Sequence, residues 1–154
     1  MTARSREVRC SMRPSACALL VGVVLPVLVA CGNAGKRDAS ALVNAVDRYR
    51  RAEGPSKDAL GQAVSVLACA DSRVCDAKQA CVAAIEPTTR ALLLKDEVAR
   101  RLVDLEAKRL ATDSPEVQAL PGKLDEAERL LRDGRARMAA CDARLTDLRV
   151  AFGV

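Results

Sequence analysis

Between Leu124 and Phe152, apolar or small residues recur at intervals of three and four without a slip: Leu124, Ala127, Leu131, Gly134, Met138, Cys141, Leu145, Leu148 and Phe152. An α-helix turns once every 3.6 residues, so this alternation holds the whole set on one stripe. The spacing predicts a C-terminal helix roughly 45 Å long, at 1.5 Å of rise per residue. The stripe needs a neighbour to cover it, either other helices of this chain or a second copy in a coiled coil. Gly134 and the polar-to-small middle of the stripe argue against a tight oligomeric seam, so the chain's own helices are the favoured cover. The oligomeric state stays open.

Punctuation divides the rest of the chain. A first helix is predicted from Asp38 or Ser40 to about Glu53, with Leu42, Val46 and Tyr49 on one face. Gly54-Pro55-Ser56 then supplies a stop, a breaker and a new N-cap. A second helix runs to about Cys69 with Leu60, Val64 and Leu67 inward. Asp71 and Ser72 can cap a third, which reaches about Ile85. Pro87 lacks a backbone donor and disfavours the helical region for Glu86, so a break or kink is expected there.

A fourth helix is predicted from Thr88 to Ala111. Ala91, Leu92, Leu94, Val98, Ala99, Leu102, Val103, Leu105 and Leu110 cover nearly half its circumference, an arc wide enough for two neighbours. Asp96/Arg100, Glu97/Arg101 and Asp104/Lys108 are acid-before-base pairs on the solvated face, each contributing about 0.3 kcal/mol to a helix. Ser114 and Pro115 read as an N-cap and first helical residue, and Pro121-Gly122 as a further interruption. The fold class is all-α: a small helical bundle over residues 38–154 with a long C-terminal helix.

Composition narrows function by exclusion. The chain has one Tyr, one Phe, no Trp and no His, so it lacks the commonest general base and metal ligand and the stacking platforms that nucleic acids meet. Its net charge of +5 is concentrated at the start; from Cys31 onward there are 21 Lys/Arg against 19 Asp/Glu. That balance leaves no electrostatic footprint for nucleic acid. The carboxylates Asp125, Glu126 and Glu128 alternate with arginines at helical spacing, which is how a solvated face looks. No catalytic residue, metal site or cofactor is expected.

The N-terminal segment is of another kind. Arg4, Arg6, Arg9 and Arg13 precede an apolar run from Ala16 to Ala30, shorter than the roughly 20 residues that cross a bilayer. Basic start, short apolar centre and small-residue exit are the parts of a secretory signal peptide over residues 1–30. Met12 offers a second start that leaves the mature chain unchanged. Leu28-Val29-Ala30-Cys31 resembles the lipobox of bacterial lipoproteins at all four positions. The resemblance covers only the first 31 residues and implies a diacylglyceryl group on the Cys31 thiol, cleavage before Cys31 and acylation of the new amino end. One acyl chain binds a membrane marginally, whereas two or more anchor firmly. In that family Asp after the Cys favours the inner membrane; Gly32 leans towards the outer membrane. Residues 31–37 read as the lipidated Cys and a flexible tether.

Cys10 and Cys17 leave with the leader. Cys69, Cys75, Cys81 and Cys141 remain, and four thiols in an exported chain read as two disulfides; zinc is the rival, without the short C-x-x-C pairs it needs. Residues six apart on one helix are roughly 9 Å apart, beyond bridging reach, so Cys75 and Cys81 do not pair. Cys69 and Cys75 flank a turn and fit a bridge, leaving Cys81 for Cys141. Cys69 with Cys81 and Cys75 with Cys141 stays open as an alternative. The functional expectation is a lipid-anchored envelope lipoprotein with a non-catalytic structural or protein-interaction domain and an envelope protein partner. An accessory subunit of an envelope enzyme or transport complex and a self-assembling coiled-coil spacer are the alternatives.

Overall fold

The computed structural model describes residues 30–154, with side chains from Ala34 onward. The leader and the Cys31 side chain, and with them the calls on signal peptide and lipidation, lie outside the described residues. The described residues form α1 (Ala30–Arg51), α2 (Ser56–Ser65), α3 (Ser72–Glu106), a single turn α4 (Pro115–Gln118) and α5 (Leu120–Phe152), with no strand among them. The chain is thus an all-α, disulfide-stapled bundle with a long C-terminal helix.

The two long helices, α3 and α5, lie antiparallel over most of their lengths. Residues 72 to 106 span about 52 Å as a helix. At one end, α1 and α2 pack on this hairpin and complete a four-helix bundle. Its core holds Leu42, Val46 and Tyr49 from α1, Val64 from α2, Val74, Ala77, Cys81 and Ile85 from α3, and Cys141, Leu145 and Leu148 from α5. The inward face read from the sequence for the first helix buries, as do Ala127, Gly134, Cys141, Leu145 and Leu148 of α5, while Leu131 and Met138 are half-buried and Leu130, outside the predicted stripe, is buried. The other half of the hairpin has a thinner core, Ala91 against Ala127 and Leu130 with Leu94 and Leu131 alongside, and Val98 and Leu120 buried nearer the tip.

Several boundaries differ from the sequence reading, each for a physical reason. Residues 32–36 are helical, not a loose tether: Gly35 is buried, and a Cβ there would sit 3.0 Å from the Phe152 ring. Asp38 accepts a hydrogen bond from the Ala70 backbone N–H at 2.9 Å, so the packed domain begins ahead of residue 38. The second helix ends at Ser65, short of Cys69, and Ser56 sits inside its first turn with its hydroxyl donating to Glu53 O.

The expected break at Pro87 does not occur; the third and fourth predicted helices are one. Interior proline costs about 3 kcal/mol through its missing donor and its clash. Against this, Ala84, Ile85, Pro87, Ala91 and Val98 are all buried along the continuous helix. Burying Ile85 alone contributes about 2 kcal/mol, and Thr88 Oγ1 donates to Ala84 O at 3.0 Å. Packing on both sides of the proline outweighs the lost bond.

That helix then stops at Glu106 rather than Ala111. Lys108 adopts a left-handed backbone, φ 55°. Its N–H donates to Leu105 O at 2.9 Å and that of Arg109 to Asp104 O at 2.8 Å, the paired bonds of a Schellman motif. Where that motif usually carries an apolar contact, the Arg109 guanidinium grips the Asp104 carboxylate at 2.7 Å. Ser114 accepts from Val117 N–H at the start of α4. Pro121 falls in the first turn of α5, where no N–H is required, so Pro121-Gly122 does not interrupt the helix.

Candidate functional site

Three regions carry the residues that chemistry or binding could use: the end where α1 begins, the cysteine pairs, and the two-helix stalk. At the first, α1 starts beside the start of α3 and the end of α5. Gly35 packs on Phe152 and Asp71, and the Arg73 guanidinium stacks over the Phe152 ring, 4.5 Å from its centroid. Asp71 caps α3 by accepting from Arg73 N–H at 2.9 Å. The Arg73 side chain bonded to the same carboxylate holds Asp71 below the usual carboxylate range. The clasp joins three helix ends with one aromatic ring.

Cys69 and Cys75 bridge across the turn into α3, Cα atoms 5.2 Å apart. Cys81 bridges to Cys141 between the two long helices, Cα atoms 4.5 Å apart. These are the pairs favoured from spacing. Cys81 and Cys141 are wholly buried among Leu and Val side chains, a setting for a structural bridge rather than for a reactive thiolate.

Above Cys81–Cys141, α5 passes very close to α3 at Gly134. A Cβ at Gly134 would overlap Thr88 Oγ1 and lie 3.0 Å from Ala84 O and 3.3 Å from Thr88 N. The sequence placed Gly134 on the seam but not the reason: it faces the one turn of α3 that contains the proline. Gly61 plays the same part for α2, where a Cβ would meet Ile85 Cγ2 at 2.9 Å.

The carboxylates do not assemble into an acid–base site. Asp125 and Glu128 are exposed, and Glu126 is held by Arg129 through paired hydrogen bonds of 2.7 Å. Those bonds lower the Glu126 pKa. Glu97 is likewise lowered, by the Lys123 ammonium that reaches across from α5. General acids at neutral pH need the opposite shift. Two of the three acid-before-base pairs expected within the fourth predicted helix are replaced: Glu97 pairs with Lys123 and Asp104 with Arg109. The termination at Lys108 removes the last of those pairs from the helical face. Among the described residues no group of His, Cys, Asp and Glu is placed to hold a metal ion, and no helix is long and apolar enough to cross a membrane.

The stalk is the region that the sequence reading under-described. α1 ends at Arg51, where Arg50 reaches Met138 Sδ at 3.6 Å and pairs with Asp142. Beyond that level the flank of α3 that carries Ala99, Leu102 and Val103 is bordered by Gly54 and Pro55 near Arg100 and by Arg109 near Ala99 and Val103, and its apolar side chains stay largely exposed, as does Leu124 of α5. Leu102, Val103 and Leu124 are 44%, 57% and 41% exposed. The half-circumference apolar arc predicted two neighbours; within this chain it receives one. The chain matches no protein-family profile, no curated protein and no solved structure.

Proposed function

We propose that this chain is a lipid-anchored protein of the bacterial envelope whose helical domain is a structural or protein-interaction module rather than an enzyme. The observation that carries the reading is Leu28-Val29-Ala30-Cys31 behind a basic, short apolar leader. In this reading a diacylglyceryl thioether and an amino-terminal acyl chain on Cys31 hold the protein in the outer membrane.

The position of Cys31 in the fold supports the reading. It lies in the first turn of α1, four residues before Gly35. A lipid there leaves at most about 14 Å of extended chain between membrane and bundle, so the clasp end of the domain sits close to the headgroups. The tip of the α3–α5 hairpin lies at the far end, about 50 Å away along the bundle. An anchor at one end and uncovered apolar side chains towards the other is the layout of a protein that presents a binding surface away from its membrane. The balanced charge and the paired surface carboxylates give catalysis no constellation to work with.

The test is recovery from detergent extracts of native membranes, comparing the natural protein with Cys31→Ala. The reading predicts that the natural protein fractionates with the outer membrane and brings down an envelope protein. Cys31→Ala should leave the membrane fraction. Membrane association unchanged by Cys31→Ala contradicts the anchor, and failure of either form to recover an envelope protein counts against the interaction role.

A further inference from the structure

We propose that the molecule bends at one level, where the proline turn of α3 meets Gly134 of α5, so that the two-helix stalk swings as a unit against the four-helix bundle. The inference does not depend on the lipid anchor.

Both long helices are weakest in bending at that level. A helix resists bending through its ladder of backbone hydrogen bonds, and kinks form where a rung is lost or displaced. Pro87 stands inside α3 without an N–H, so the rung to Ala83 is missing. In the same turn Thr88 Oγ1 donates to Ala84 O at 3.0 Å, a back-bond that favours bending. Across from it stands Gly134, the residue type that supports a helix least after proline; a Cβ there would lie 3.0 Å from Ala84 O and 3.3 Å from Thr88 N. α2 also meets this turn through a glycine, Gly61, against Ile85 and Thr89. Interlocking side chains resist the rotation of one helix on another, and here α2 and α5 present backbone instead. From α1 the contact is the Tyr49 hydroxyl, 3.5 Å from Thr89 Oγ1, longer than a firm O–H···O bond.

The parts on either side are each held together, and little ties one to the other. On the bundle side, Cys81–Cys141 bridges α3 to α5 about 10 Å from Gly134, and Arg50–Asp142 and Arg149–Asp47 tie α1 to α5. The continuous core of the bundle reaches Ile85 and Cys141. On the stalk side a separate cluster begins with Ala91, Ala127 and Leu130, and Glu97–Lys123 joins the two helices above it. The α1–α2 loop reaches past the joint, with Gly54 and Pro55 beside Leu92, Leu93 and Arg100. Among the described residues it makes no hydrogen bond or ion pair to α3 there, so it borders the stalk without fastening it. Two cores on either side of one weak level make two bodies and a joint. From Thr88 to Glu106 the stalk is about 27 Å long, so a bend of about 20° carries its tip through about 9 Å while the bundle stays fixed.

The experiment is pulsed electron spin resonance on the full-length protein in mild detergent. Nitroxides are carried in pairs on genetically encoded keto amino acids, so every cysteine keeps its native state. Positions Asn44 and Ala107 span the joint, Arg51 and Ala151 lie within the bundle, and Ala107 and Arg132 lie within the stalk; all are exposed. With a tip that sweeps about 9 Å, the spanning pair should give a distance distribution about twofold or more wider than either internal pair. Pro87→Ala restores the missing donor and should narrow the spanning distribution towards the width of the internal pairs, which stay as they were; circular dichroism checks that helicity is kept. In the natural chain alone, a spanning pair as narrow as the internal pairs overturns the proposal. A stalk pair as wide as the spanning pair also overturns it, because the hairpin then frays instead of swinging. A folded Pro87→Ala variant that leaves the spanning width unchanged places the flexibility elsewhere and overturns the joint.

Discussion

Gly134→Ala tests how the stalk and the bundle are joined. In an open helix the change stabilises by about 1 kcal/mol, because alanine loses less backbone entropy. At this position the added methyl overlaps Thr88 Oγ1 and approaches Ala84 O to 3.0 Å. Thr88 cannot simply turn aside, since its hydroxyl donates to Ala84 O in the turn where Pro87 supplies no N–H. Separating α3 from α5 there is overpacking, which costs about 1–3 kcal/mol, and losing the Thr88 hydrogen bond adds about 1 kcal/mol. Set against the propensity gain, the net is a destabilisation of about 2 kcal/mol, or a Tm lower by about 8 °C for a domain this size. Thermal unfolding followed by circular dichroism measures it. Gly122→Ala is the control: it lies in the same helix, and a Cβ there meets nothing within 4 Å, so it should raise Tm by up to a few degrees. Gly134→Ala/Thr88→Ala should recover part of the loss. If Gly134→Ala is as stabilising as Gly122→Ala, the close approach of the two helices is wrong.

Other outcomes follow from the same geometry. Replacing Cys81 and Cys141 by Ala opens a loop of 60 residues and should cost about 4 kcal/mol, against about 2 kcal/mol for the Cys69/Cys75 pair; denaturant titration of the two double variants gives the order. Lys108→Gly relieves an L-residue at φ 55° and should stabilise by about 0.5–1 kcal/mol, measured as a higher denaturation midpoint at unchanged slope. The Lys123 ammonium lowers the Glu97 pKa in the folded chain. The folded state therefore binds the Glu97 proton less readily than the unfolded state, and the pair's contribution is fully present above the ordinary carboxylate pKa. It is lost as pH falls through the lowered value. Glu97→Gln should accordingly flatten the acid limb of a stability–pH curve, and an unchanged limb would remove the ion pair from the account.

The sequence conveyed the fold where one signal acted alone. The three-and-four stripe marked α5, and Leu42, Val46 and Tyr49 marked the inner face of α1, because burial follows period directly. It misled where a local signal met a tertiary one. Pro87 reads as a break in isolation, but the helix continues because Ile85 and Ala91 bury on either side of it. Lys108 offers no glycine to announce a helix end, and the Arg109–Asp104 pair that fixes the stop joins residues five apart. Gly32 and Gly35 resemble a linker until Phe152, more than a hundred residues away, is brought onto Gly35. The cysteine pairing was half legible: reach on a helix excludes one of the three combinations, and the turn between Cys69 and Cys75 favours the pairing found over the one left open. The stalk's flank was half legible: the wide apolar arc over residues 91–105 called for two neighbours, and only three dimensions reveal that α1 stops at Arg51 and leaves one place open.

Intact-mass analysis of the protein recovered from its native membrane, before and after reduction, tests the central claim in one measurement. The account predicts a chain beginning at Cys31, heavier than its sequence by a diacylglyceryl group and an acyl chain, that gains four hydrogens on reduction as Cys69–Cys75 and Cys81–Cys141 open. A first residue other than Cys31, or an unmodified Cys31, contradicts the anchor. A mass unchanged by reduction contradicts the stapled fold.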